Sequence, residues 1–107
     1  MNLELDHVAL TATNIPASIA WYTEHCGAIV LYQDTSWAML QIGKGKLALV
    51  TPDQHPGHVG LRIDAKDLEN AAREFDRPID SHRDGTRGIY VEDPDGNAIE
   101  FISYPKD

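Results

Sequence analysis

The chain has 107 residues, 42% apolar and 24% charged, with nine basic side chains against seventeen acidic ones and a net charge of −8. That length fits one small domain, or two very small halves sharing a core, and the acidic balance offers no basic stripe for phosphates, which argues against nucleic acid and anionic membranes as partners. No apolar run approaches the roughly 20 residues of a membrane helix, the opening MNLELDHVAL lacks the basic start of a signal peptide, and the single Cys26 cannot close an internal disulfide, so a cytoplasmic protein is expected.

Leu3 to Thr11 is rich in Val and Leu and predicts a strand. Thr13-Asn14 offers a helix N-cap with Pro16 in the first turn, where a missing N–H does no harm. Ile15, Ile19 and Tyr22 share one helical face, and Gly27 suits the C-cap. Strands are then predicted over 28–33, 37–42 and 46–51, with Gly43-Lys44-Gly45 turning between the last two. After the short linker 52–57 the plan repeats. A strand is predicted over 58–64, a helix over 67–75 with Leu68, Ala71, Ala72 and Phe75 apolar, an edge strand over 78–82, and strands over 88–92 and 97–103. Asp93-Pro94-Asp95-Gly96 is a strong turn between the final pair, with Pro where φ is preset and Gly where φ is positive.

Sliding the sequence on itself by 51 residues lays His7 on His58, Val8 on Val59, Leu10 on Leu61, Met39 on Tyr90, Gly45 on Gly96 and Leu49 on Glu100. Such a repeat decides the fold ahead of any local reading. The expectation is one domain over 1–107, with module 1 at about 3–51 and module 2 at about 58–105. Neither module of about 50 residues buries a core easily alone. The class is α+β: two tandem βαβββ modules forming a curved mixed sheet around a metal-binding cleft, with the helices outside.

Alternation along strands places residues two apart on one face. Val8 and Leu10 suit the helix-covered face of the first strand, leaving His7, Ala9 and Thr11 on the other. His58, Gly60 and Arg62 follow by repeat, and Glu100 lies opposite Ile99 and Phe101 on the last strand. Alone, a strand histidine is more often a hydrogen-bonded or surface residue than a ligand. Glu100, however, is flanked by Ile99, Phe101 and Ile102, where an unpaired carboxylate would be costly. A metal shared by His7, His58 and Glu100 would offset that burial. Alternation also sends Trp37, Met39, Leu47, Leu49 and Tyr90 toward the cleft as an apolar wall for a small molecule, although Trp37 and Met39 serve equally well as core or dimer contacts. Arg62 could clamp a substrate carboxylate, against the commoner fate of a surface salt bridge. His55 in the linker reads as solvated, His25 as a partner of the helix C-terminus, and Cys26 as packing.

The βαβββ repeat, the opening HVAL and HVGL strands and the closing DPDGNAIEFI resemble the vicinal oxygen chelate superfamily over about residues 3 to 105. That group contains glyoxalase I, extradiol dioxygenases, fosfomycin-resistance thiol transferases, methylmalonyl-CoA epimerase and the bleomycin-resistance proteins. The resemblance implies metal ligands from the first and last strands of each module, which makes His7, His58 and Glu100 the matching set here. Glyoxalase I has a fourth ligand, a glutamate involved in proton transfer, at the position read here as Leu49, and the epimerases are polar there too. Fosfomycin enzymes place a hydroxyl where this chain has Ala9. Two histidines and one carboxylate match the extradiol dioxygenases best, and Tyr90 stands ten residues before Glu100, as a tyrosine does in those enzymes. Their acid–base histidine has no clear counterpart, with His82 a remote candidate. The resemblance also implies a homodimer, with modules paired within one chain or across two.

A 2-His-1-carboxylate set leaves open positions on the metal. It suits Fe(II) or Mn(II), and zinc or nickel are alternatives. The resulting expectation is a small metal-dependent enzyme acting on a vicinal-oxygen substrate, by ring-cleaving oxygenation or a lyase or isomerase step, with Tyr90 as a catalytic candidate. The alternative is a protein of the bleomycin-resistance type that sequesters a small molecule without turnover, and a third reading is a structural or regulatory remnant with a vestigial triad.

Overall fold

Two caps written in the sequence set where the helices begin. In the computed structural model, which describes residues 2–105, Asn14 accepts a hydrogen bond from the Ala17 N–H at 3.0 Å and starts α1 (Ile15–Cys26). Gly27, at φ 67°, ends α1 in the left-handed conformation that glycine tolerates. Asp64 accepts from the Asp67 N–H at 2.8 Å and starts α2 (Ala65–Phe75). Asp64 is thus a cap, not the end of a strand, and α2 begins two residues earlier than expected. An aspartate accepting from N3 is what the first orphan amides of a helix require.

The strands are β1 (Glu4–Thr11), β2 (Ile29–Gln33), β3 (Trp37–Ile42), β4 (Gly45–Val50), β5 (His58–Arg62), β6 (Asp80–Ser81), β7 (Arg87–Glu92) and β8 (Ala98–Ser103). The order is βαβββ twice, and the class is α+β, as the sequence predicts. The sixth strand is shorter than expected, with only Asp80 and Ser81 pairing with Gly88 and Arg87; Pro78 has no N–H to donate to a ladder.

The chain divides into two compact units. Residues 7–58 form the first, and residues 2–6 with 59–105 form the second. In the first unit the strand order is β2-β3-β4-β1, with β4 antiparallel to β3 and parallel to β1. Its core packs Ile15 and Ile19 of α1 against Ala38, Leu40 and Leu49. In the second unit the order is β5-β8-β7-β6. Its core packs Leu68, Ala71 and Ala72 of α2 against Ile63, Ile89, Val91 and Phe101.

The two β-hairpins differ by one residue, and this corrects the repeat. Ile42 pairs with Gly45 across two residues, whereas the Asp93 N–H donates to the Asn97 carbonyl at 3.0 Å across three. Met39 therefore faces Ala48, and Tyr90 faces Glu100. The counterpart of Glu100 is Ala48, and that of Leu49 is Phe101. A slip of one residue turns a strand residue to the other face, so Leu49, expected on the cleft side, instead packs beneath α1 at 1% exposure.

Candidate metal centre

His7 and His58 lie at strand positions that the first unit brings together. Both are buried, and their Nε2 atoms stand 3.1 Å apart with the rings edge to face. The Nδ1 atom of His58 lies 2.9 Å from the Pro56 carbonyl oxygen. A carbonyl only accepts, so Nδ1 carries the proton and the neutral ring turns a lone pair outward from Nε2. Without a cation, the His7 Nε2–H donates to that lone pair. A ligating histidine is held in the same way, one nitrogen anchored to backbone and the other turned toward the ion. Two nitrogens each about 2.0–2.1 Å from one ion lie at most about 4.2 Å apart, so the 3.1 Å separation fits a shared ion. Linker residue His55, expected in solvent, is half-buried with its ring edge-to-face to His58 at 6.3 Å.

In the second unit, Glu100 is 4% exposed in the middle of β8. Register places it with Tyr90 on the face of the strand away from Ile89, Val91, Ile99 and Phe101, which lie toward α2. Tyr90 donates a hydrogen bond to the Glu100 carboxylate. Burial, then the charge of Glu100 and that bond, hold the phenol above its ordinary range. The tyrosine therefore stays protonated and acts as a donor. His82 Nε2 lies 3.4 Å from Glu100 Oε2. Gly88, opposite Ile102 on β7, has no room for a side chain: a Cβ there would stand 2.8 Å from the Phe101 carbonyl and 3.2 Å from Glu100 Oε2. Sequence reasoning left Gly88 unremarked, although a strand glycine is itself a signal of close approach. The Pro56 carbonyl carried no signal, because a backbone oxygen has none. His7 and His58 in the first unit are two buried imidazoles, and Glu100 in the second is a buried carboxylate, side chains of the types that bind metal ions.

The remaining predicted residues divide. Trp37 and Met39 are half-buried and, by register with Val50 and Ala48, face away from the α1 core. Ala9 pairs with Ala48 in turn, so Met39, Ala48 and Ala9 form a row on the face of β1 that carries His7. Trp37 stacks on Tyr32 at 4.6 Å. Leu47 and Leu49 belong to the α1 core and line no site. The Arg62 guanidinium lies over the Tyr104 ring, 4.2 Å from its centroid, and the Tyr104 hydroxyl donates to Asp6 at 2.8 Å. Cys26, expected to pack inside, is exposed.

The chain matches no protein-family model and no curated protein. In three dimensions it is similar to methylmalonyl-CoA epimerase from Mycobacterium tuberculosis, at 17% identity and a TM-score of 0.75 over 94% of this chain and 87% of that one. It is similar to a glyoxalase/bleomycin resistance protein/dioxygenase superfamily member from Vibrio splendidus, at 18% identity and a TM-score of 0.72 over 95% and 99%. A variant of Streptomyces coelicolor methylmalonyl-CoA epimerase, in complex with 2-nitronate-propionyl-CoA, matches at 16% identity and a TM-score of 0.73 over 94% and 93%. These likenesses extend along nearly the whole chain, and its fold is the vicinal oxygen chelate fold.

Proposed function

We propose that this chain is a small metal-dependent enzyme in which His7, His58 and Glu100 hold one divalent cation, and that it acts on a substrate presenting two adjacent oxygens. The observation that carries the reading is the His58 ring. Its Nδ1 is tied to the Pro56 carbonyl, and its Nε2 lone pair points at a second buried imidazole nitrogen 3.1 Å away. Glu100 adds a buried carboxylate whose charge a cation would offset. Fe(II) or Mn(II) suits two histidines and one carboxylate best, with zinc and nickel as alternatives. When bound, such a cation supplies Lewis-acid stabilisation of negative charge on the substrate oxygens. Tyr90 donates to Glu100 and keeps its own proton. Trp37 and Met39 supply apolar contact, and Arg62 must leave the Tyr104 ring to hold a substrate carboxylate. The counterpart of Glu100 in the first unit is Ala48, so no second carboxylate stands there to move a proton. Ring-cleaving oxygenation therefore fits the donor set better than the proton transfer that glyoxalase I runs through a glutamate.

The test is to strip the protein with chelator and reload it with Fe(II), Mn(II), Zn(II) or Ni(II) singly. Each form is then offered catechols, 2-oxo aldehydes and acyl-CoA thioesters, the last because epimerases of this fold bind them. Turnover that depends on the metal and is lost in His7→Ala is the expected result. Tight binding of a ligand by the stripped protein, with no product in any metal form, would replace the reading with sequestration.

We also propose that the protein is a homodimer. The edge strand β2 exposes Ile29, Val30, Leu31 and Tyr32 at 64%, 40%, 51% and 43%. An exposed apolar edge is a template for pairing with another strand.

A further inference from the structure

Glu100 does not meet its surroundings alone. Its Oε2 lies against the bare backbone of Gly88, where a Cβ would come within 3.2 Å of it. The Tyr90 hydroxyl donates to the same carboxylate. On the third side stands His82, its Nε2 3.4 Å from Oε2. That nitrogen is buried and makes no hydrogen bond. The backbone around it is fixed: the His82 N–H donates to the Thr86 carbonyl at 2.8 Å, and the Gly85 N–H donates to the His82 carbonyl at 3.0 Å. A buried imidazole nitrogen that makes no bond is costly, and the acceptor 3.4 Å from it is the carboxylate proposed to bind the metal. Carboxylates that bind metals are themselves held by outer hydrogen bonds, which fix which oxygen faces the ion.

Resting on the metal reading above, we propose that His82 is a positioning residue for Glu100: its Nε2–H is the donor that holds Oε2 and reserves Oε1 for the cation. A small rotation of the ring about its held backbone completes the bond. The three supports then act differently. Gly88 gives the carboxylate room, Tyr90 donates from across the β7–β8 ladder, and His82 selects the oxygen. His82 is not a ligand in this arrangement, and removing it loosens the site without changing what binds.

The experiment uses the full chain with Co(II) as a spectroscopic probe. The dissociation constant comes from competition with a coloured chelator, and the visible spectrum is recorded at saturation. His82→Leu should weaken Co(II) binding by about tenfold to a hundredfold, the range found for outer partners of metal ligands, with the saturated spectrum unchanged. His82→Gln, which keeps a donor in reach of the carboxylate, should recover most of that loss, and circular dichroism checks that both variants fold. Unchanged affinity in His82→Leu would overturn the proposal. So would an altered saturated spectrum, because His82 would then be a ligand itself, and so would a His82→Gln variant as weak as His82→Leu. Glu100→Ala separates this from the reading beneath it: wild-type Co(II) binding in that variant would overturn the metal site as a whole.

Discussion

A single proton placement decides the chemistry of His58. Because the Pro56 carbonyl accepts a hydrogen bond from Nδ1–H, the neutral ring presents a lone pair at Nε2 before any cation arrives, and the site is prepared in the resting protein. His7 is not so constrained by the contacts around Nε2. It donates from Nε2 when the site is without a cation and must shift its proton to Nδ1 to coordinate. Tyr90 is governed by burial first and by Glu100 second, and Tyr104 by burial first and by its bond to Asp6 second; both phenols are raised. A raised value means that the folded chain holds the proton longer than the unfolded chain does. The stability this contributes is complete below about pH 10, the unperturbed tyrosine range, and is lost as pH rises through the folded-state value. We predict that Tyr90→Phe flattens the alkaline fall in stability, read from urea unfolding midpoints between pH 9 and pH 11. An equally steep fall in the variant would remove Tyr90 from this account.

At the scale of elements, caps and turns decide what faces what. Asn14→Ala removes the acceptor for the Ala17 N–H and should cost about 1 kcal/mol, measured by chemical denaturation. Leu49→Ala opens a space beneath α1 and should cost about 2–5 kcal/mol. A loss below about 1 kcal/mol would instead return Leu49 to the cleft side. The order of elements along the chain, the two caps of α1 and the apolar flanks of Glu100 were legible in the sequence because each rests on a local rule: alternation, a capping oxygen, a turn residue. Leu49 was misread for an equally physical reason. The repeat keeps an offset of 51 from Met39 to Tyr90 but 52 from Ala48 to Glu100, and the added residue sits in a turn, where sequence similarity is weakest. Asp93 absorbs that residue, accepting from the N–H groups of Asp95 and Asn97 at 3.0 and 2.8 Å and from the Asn97 side chain at 2.9 Å. The seat of His82 beside Glu100 was not legible, because the edge strand expected over 78–82 ends at Ser81 and alternation does not carry past it.

At the scale of the whole molecule, the fold is that of enzymes which differ in substrate and chemistry, so the donor set and not the fold carries the functional reading. A cation that binds only the folded chain adds about 2.7 kcal/mol at a hundredfold excess over its dissociation constant. For a domain of this size that raises the melting temperature by about 10 °C or more, and chelator should reverse it in a thermal scan. Oligomeric state is read separately: Leu31→Lys puts a charge on the exposed β2 edge, and sedimentation should show the wild type as two chains and this variant as one. The most direct measurement of the central claim is elemental analysis of anaerobically purified wild type beside Glu100→Ala. The account predicts close to one Fe, Mn, Zn or Ni per chain in the wild type and almost none in the variant. The same metal content in both proteins, or none in the wild type even after reconstitution, would contradict it.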